Sequence, residues 1–186
     1  MILKTIKSGL NICIRPETIT EHDKVNEIIH KAFSESYGME TGAEMLEHII
    51  EERKKDSFVP ELSLVAVLEN GVLIGQITLH ETDIIVESGR ITQLTLSQCA
   101  VLPEYRMRGV MKELVTFALN KAKEMGYTAV FLGGNPALYG RFGFTASYKY
   151  GIYHENRDKM GDEGYMVCLL IPNALDGVKG ITSYYG

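Results

Sequence analysis

Apolar positions along the chain change period several times, and each change marks an element. Asn11 to Arg15 alternates apolar and polar residues and stops at Pro16, which predicts a short strand. Between Thr20 and Phe33 the apolar residues Val25, Ile28, Ile29, Ala32 and Phe33 fall at helical spacing, with Thr20 as a candidate N-cap and Asp23 favouring the helix dipole. Ala43 to Lys54 repeats that period through Met45, Leu46, Ile49 and Ile50, and ends in the basic run Arg53-Lys54-Lys55. Leu62 to Leu68 is β-branched-rich and leads into Asn70-Gly71, a strong hairpin signal. Val72 to Val86 then reads as a long strand with Gly75 as a bulge candidate, Ser88-Gly89 as a turn, and Ile91 to Leu102 as a strand stopped by Pro103.

The period returns to the helical one from Gly109 to Met125, where Leu114, Val115, Ala118, Leu119 and Ala122 share a face and Gly126 follows as a C′ residue. Ala129 to Leu132 predicts a buried strand, Pro136 to Arg141 one or two helical turns, Glu163 to Ile171 a late strand and Val178 to Tyr185 a last one. Strand, helix and strand from Ile91 to Leu132 form a crossover unit, which requires parallel strands. The remaining strands can pair antiparallel. The pattern therefore predicts an α/β fold with a mixed, mostly antiparallel sheet, a central parallel βαβ unit and flanking helices, over residues 1–186 as a single domain. No repeat or low-complexity segment interrupts it.

Composition narrows the class. With 19 Lys plus Arg against 24 Asp plus Glu, the net charge of −5 argues against a nucleic-acid binder, which needs basic surface to displace counterions. Cys13, Cys99 and Cys168 are odd in number and far apart, so neither a disulfide framework nor a zinc site is indicated, and no metal is expected. Met1 to Leu10 lacks the apolar stretch of a signal peptide, and no apolar run approaches the ~20 residues of a membrane span. A cytoplasmic protein without membrane partners is the expectation.

The stretch Val101-Leu-Pro-Glu-Tyr-Arg-Met-Arg-Gly-Val-Met-Lys-Glu-Leu114 carries the candidate chemistry. A strand ends, a short basic loop follows and a long helix begins. The first turn of a helix presents unpaired N–H groups and a positive dipole end, Arg106, Arg108 and Lys112 add charge, and Gly109 lets an anion approach the backbone. On spacing alone this is either a pyrophosphate site or a solvated basic turn. The segment resembles the acyl-CoA loop of the GNAT superfamily of N-acetyltransferases, R/Q-x-x-G-x-G/A: Arg106 and Gly109 match, and Met111 stands where the pattern has its last small residue. Arg-Gly-Val-Met is also similar to the variant loop of Eis-type acetyltransferases. Downstream, Leu138-Tyr-Gly-Arg-Phe-Gly-Phe144 resembles the GNAT signature Y-x-x-x-G-F, and its spacing from Asn135 resembles the YhbS-like bacterial subgroup, as does Asn173-Ala-Leu-Asp-Gly-Val-Lys-Gly180.

The resemblance implies an acetyl-CoA-dependent enzyme that acylates a primary amine by direct attack in a ternary complex. By it, Arg106, Met107, Arg108, Gly109, Val110, Met111 and Lys112 hold the cofactor pyrophosphate. Cys99, Ala100 and Val101 offer backbone groups to the pantetheine, Asn135 lies beside the cofactor, and Tyr139 acts as general acid towards the departing thiolate. Homodimers are common among such enzymes. Two other functions stay open: an aminoglycoside-modifying enzyme of the Eis kind, and a non-catalytic acyl-CoA-binding regulator that needs no Tyr139. The general base is undetermined among His80, Glu81 and Asp83, with solvated residues as the plainer reading, and with the terminal carboxylate of Gly186 as a further option by the Eis resemblance. Alternation sends His80 and Glu81 to opposite faces. His22, His30 and His48 read as surface residues and His154 as part of a polar loop near substrate. Cys99 reads as a packed thiol rather than a nucleophile. Tyr148, Tyr150 and Tyr153 read as substrate-side or core residues.

Overall fold

The computed structural model describes residues 3–183, and the chain forms two compact units, Met1–Leu79 with Gln98–Ala118, and His80–Ser97 with Leu119–Gly186. Strand pairing is mostly antiparallel, as the alternating segments allow.

In the first unit, β1 (Lys4–Thr5), β2 (Asn11–Pro16), β3 (Phe58–Leu68) and the start of β4 (Leu73–Val86) lie side by side in that order. β2 runs against β3 from Ile12↔Leu68 to Pro16↔Leu64. The helices α1 (His22–Tyr37) and α2 (Met39–Glu52) are each longer than the apolar period predicts. The chain enters α1 through a 3-10 turn, Ile19–Glu21, so the cap falls on Thr18 rather than Thr20. The Glu21 carboxylate accepts from the Thr18 N–H at 2.9 Å and from Arg15 at 2.6 and 2.8 Å, and the Arg15 bonds hold its pKa down at about 2. Val25, Ile28, Ile29 and Ala32 of α1 and Ile49 of α2 bury their apolar stripe against Val65 and Val67 of β3 and Ala100 of β5 (Gly89–Val101).

The apolar stripe of α3 (Val110–Glu124) begins in this unit, and Gly75 explains how it seats. A Cβ at Gly75 would meet Ala100 O and Leu114 Cδ1 at 3.1 Å and Val110 Cγ1 at 3.3 Å. The residue that reads as a bulge candidate is thus where the first turns of α3 press on the sheet. Gly75→Val is expected to destabilise the protein by about 1–3 kcal/mol, because neither strand backbone nor helix can yield freely. A thermal melt checks this, and an unchanged midpoint would show that α3 is not held there.

In the second unit, the end of β5 nearest its hairpin pairs parallel with β6 (Ala129–Gly133), as the crossover requires, through Leu94↔Val130 and Thr95↔Phe131. Antiparallel β9 (Tyr165–Leu169) follows β6, then β7 (Thr145–Ala146). β10 (Gly180–Thr182) pairs antiparallel with Ile84 and Ile85 of β4 and parallel with β8 (Ile152–His154). Ile84, Phe131, Ile152, Tyr165, Val167 and Leu175 make its core. Gln93 closes the start of β6: its buried Oε1 accepts from the N–H groups of Thr128 and Ala129 at 3.0 and 2.9 Å. Short helices α4 (Pro136–Tyr139) and α5 (Arg157–Met160) complete the unit. Of the predicted last strand, Gly180 to Thr182 form it; Tyr184, Tyr185 and Gly186 lie outside the described residues.

No helix among the described residues is long and apolar enough to cross a membrane.

Candidate active site

The basic loop leaves β5 at Val101, makes a 3-10 turn at Pro103–Tyr105 and enters α3 at Val110. The backbone bond from Glu113 N–H closes on Gly109 O at 3.1 Å. The N–H groups of Val110, Met111 and Lys112 therefore stand at the helix mouth with no intrahelical acceptor, backed by the dipole. Gly109 has φ +90°, a left-handed conformation that L side chains rarely adopt, and Met107 next to Arg108 has φ +57°. Met107 is 102% exposed, so its side chain packs on nothing that would explain the strain. Arg108 and Lys112 are exposed, and the Arg108 guanidinium lies 5.9 Å from the Tyr105 ring centroid. Met111 is half-buried.

Arg106 behaves differently from its neighbours. Its Nη2 donates to Ala32 O of α1 at 2.8 Å, its Nε donates to Val101 O at 3.3 Å, and Nη1 lies 3.7 Å from Glu35. Its backbone N–H donates to Pro103 O at 3.2 Å. The guanidinium is thus engaged with the protein's own carbonyls, tying the loop to α1 and to the end of β5, and the exposed cations of the loop are Arg108 and Lys112.

Cys99 is half-buried as a residue, with its thiol turned inward; burial pushes its pKa up to about 12. Burial raises Cys168 as well, and Cys13 is buried; all three are free. A protonated thiol is a poor nucleophile. The folded protein is accordingly expected to show no thiol reactive with dithionitrobenzoate at pH 8 until it is denatured; rapid titration of one thiol by the native protein would make Cys99 a reactive group after all.

In the second unit, Asn135 caps α4. Its Oδ1 accepts from Ala137 N–H at 2.9 Å and its main-chain oxygen from Leu138 and Tyr139 N–H groups, both at 3.0 Å. This positions Tyr139, whose ring lies 5.9 Å from Phe144 in an edge-on arrangement. The ring also lies close against Gly134: a Cβ there would stand 2.7 Å from Tyr139 Cε2. Asn135 thus supports the turn that carries Tyr139. The ladder between β5 and β6 ends at Thr95↔Phe131, while Leu96 and Leu132 continue their strands beyond it.

The three candidate bases separate as alternation predicts. Glu81 accepts from Tyr127 Oη at 2.6 Å, and Asp83 from Thr92 Oγ1 at 2.7 Å and Arg90 Nη1 at 3.1 Å. His80 points the other way and is 2% exposed, so the solvated reading fails for it. His154 is likewise not in a loop: it lies in β8, 2% exposed, and its Nδ1 accepts from Asn156 N–H at 3.0 Å. Burial lowers its pKa, which favours a neutral imidazole. Its polar neighbours in sequence hid a strand of three residues. His22 and His48 are half-buried and face Glu17 at 3.7 Å and Glu52 at 3.3 Å; His30 is also half-buried. Tyr148 donates to Glu163 at 2.7 Å, Tyr150 packs on the core of its unit, and Tyr153 lies under Arg157. No cluster of metal-ligating side chains occurs among the described residues.

Comparison with known proteins supplies the family context. The acetyltransferase (GNAT) domain family matches residues 13–147. The uncharacterised N-acetyltransferase YhbS of Escherichia coli K12 is 31% identical over 139 residues, which are 74% of this chain and 79% of that protein. The crystal structure of E. coli YhbS in complex with CoA superposes with a TM-score of 0.81 at 28% identity, covering 95% of this chain and 91% of that one. A GNAT family acetyltransferase from Brucella melitensis in complex with acetyl-CoA shares the fold, with a TM-score of 0.69 at 20% identity, covering 94% and 96%. Eis1 from Mycobacterium abscessus shares it over 73% of this chain but only 31% of its own, with a TM-score of 0.56 at 22% identity.

Proposed function

The chain belongs to the GNAT acetyltransferase family, and from that premise we propose that it transfers the acetyl group of acetyl-CoA to a primary amine by direct attack in a ternary complex, as one cytoplasmic acetyltransferase domain. The observation that carries this reading is the start of α3: three N–H groups without intrahelical acceptors at Val110, Met111 and Lys112, reached through the left-handed Gly109 and flanked by Arg108 and Lys112. A pyrophosphate satisfies these donors and the dipole together. Met111 serves through its N–H, so a large side chain at that position is compatible with the role. Arg106 contributes by fixing the loop, and Met107 by holding the turn that aims it.

The backbone of Cys99, Ala100 and Val101 pairs with the pantetheine arm, and the early end of the β5–β6 ladder favours a strand edge that can accept such a partner. The neutral amine attacks the thioester carbonyl, the tetrahedral oxyanion collapses, and the C–S bond breaks. Tyr139 gives its phenolic proton to the departing thiolate, and the proton lost by the amine restores the phenol through solvent. A phenol near ~10 is a weaker acid than a thiol near ~8.5, so the transfer relies on positioning. The Asn135 cap and the Gly134 contact supply that positioning for the ring.

The test is thiol release from acetyl-CoA against a panel of polyamines, aminoglycosides, amino acids and peptides. Release that depends on an added amine, with the acetylated amine found by mass spectrometry, is the expected result. Tight acetyl-CoA binding with no transfer to any amine would favour a regulator instead.

A further inference from the structure

The first unit contains two buried glutamines with orphaned oxygens. Gln76 on β4 is 0% exposed and Gln98 on the neighbouring β5 is 1% exposed, and neither Oε1 has a hydrogen-bond partner among the described residues. A buried carbonyl left without a donor costs about 1–3 kcal/mol. Two of them on adjacent strands call for a reason.

Both amides are locked in orientation. Glu17 is gripped by Arg53 through Nε at 3.0 Å and Nη2 at 2.8 Å, so it is ionised and only accepts. Ser63 spends its one hydroxyl proton on Glu17, at 2.8 Å, and must accept from Thr78, at 3.1 Å. Thr78 has then spent its own proton and can only accept from the Gln76 amide nitrogen. A polarised chain anchored on the ion pair thus commits the Gln76 amide nitrogen to Thr78 and leaves Oε1 without a donor among the described residues. Gln98 is fixed more directly: its Nε2 donates to Met45 O of α2 at 2.6 Å, and the flipped amide would set two oxygens against each other.

We infer that the side-chain oxygens of Gln76 and Gln98 receive the N–H donors of the acceptor amine, an inference that rests on the acetyltransferase reading above. Two carbonyl oxygens call for a ligand rich in N–H and free of negative charge at that end, since a carboxylate or phosphate would be repelled. Neutral oxygens suit the reaction better than carboxylates would. A carboxylate stabilises the protonated, non-nucleophilic amine, whereas burial beside neutral acceptors favours the free base. The nearby Glu17 charge is already neutralised by Arg53. Met45 is half-buried, with its sulfur 3.9 Å from Gln98 Nε2, and an unbranched thioether repacks readily around a ligand.

Gln76→Leu and Gln98→Leu remove the oxygens at nearly constant volume. Thiol release would be measured with spermidine, L-lysine amide, tryptamine and kanamycin A, beside protection of the fold by acetyl-CoA in a thermal melt. The KM for the most active amine is expected to rise about tenfold or more in each variant, with the acetyl-CoA KM and the protection unchanged. Gln98→Glu sets a carboxylate oxygen against Met45 O and favours the protonated amine, so it should lower turnover of the amine while the acetyl-CoA KM and the protection stay unchanged; a purely structural role would weaken the protection as well. An unchanged amine KM in both leucine variants overturns the inference and leaves the oxygens to buried water. So does a native protein that acetyl-CoA protects but that acetylates none of the four amines. If acetyl-CoA gives no protection at all, the acetyltransferase reading itself fails and the inference falls with it.

Discussion

Replacing Gly109 with glutamate is expected to weaken acetyl-CoA binding about 100-fold or more. Two independent costs add. At φ +90° any L side chain is strained, at roughly 1–2 kcal/mol. A carboxylate at the mouth of α3 also repels the pyrophosphate and competes for the Val110, Met111 and Lys112 N–H groups, at roughly 1–2 kcal/mol more. Together these amount to about 3 kcal/mol, or two decades in affinity. Gly109→Ala separates the two. The nearest side-chain atom to a new Cβ is Ile6 Cδ1 at 4.0 Å, so alanine meets no clash and should lose only the strain contribution. Titration calorimetry of native, alanine and glutamate forms should give a graded series; equal affinity for all three would move the pyrophosphate elsewhere.

Tyr139→Phe is expected to lower kcat about 100-fold while leaving the acetyl-CoA dissociation constant within about a factor of two, because a general acid acts when the thiolate forms rather than when the cofactor binds. The phenylalanine ring keeps the edge-on contact with Phe144 and the close approach to Gly134, so the fold should be unaffected. Gly134→Ala tests the same claim from the other side. Its Cβ would stand 2.7 Å from Tyr139 Cε2, which forces the ring to move, and kcat should fall although the hydroxyl is still present. Full turnover in Tyr139→Phe would remove the residue as the acid.

The periodic elements were legible because each buries one stripe or one face: α1, α2, α3 and strands β2 to β6 all lie where alternation or the 3.6 period places them. β1, β7 and β8 were not, since two or three residues hold no measurable period. The same shortness hid the burial of His154. Gln76 and Gln98 escaped notice for a different reason. A polar residue in an alternating strand reads as solvent-facing, yet β4 is buried on both faces through His80, and β5 places Gln98 with Ala100 on its buried face. The site loop was visible as a basic turn before a helix, but spacing cannot say which cation a ligand meets. Arg106, the residue of the motif, bonds to Ala32 O and Val101 O, while Arg108 and Lys112 remain exposed. Asn135 likewise matched a motif position, and its side chain turns out to cap α4.

The most direct measurement of the central claim is the thermal unfolding midpoint with and without acetyl-CoA, compared with acetyl-pantetheine, which lacks the pyrophosphate. A ligand present at about 100 times its dissociation constant adds about 2.7 kcal/mol, or roughly 5–10 °C for a chain of this size. The loop from Arg106 to Lys112 predicts that shift with acetyl-CoA and little or none with acetyl-pantetheine at the same concentration. An equal shift with both ligands would contradict the assignment of the pyrophosphate to this loop, and no shift with acetyl-CoA would contradict the cofactor itself.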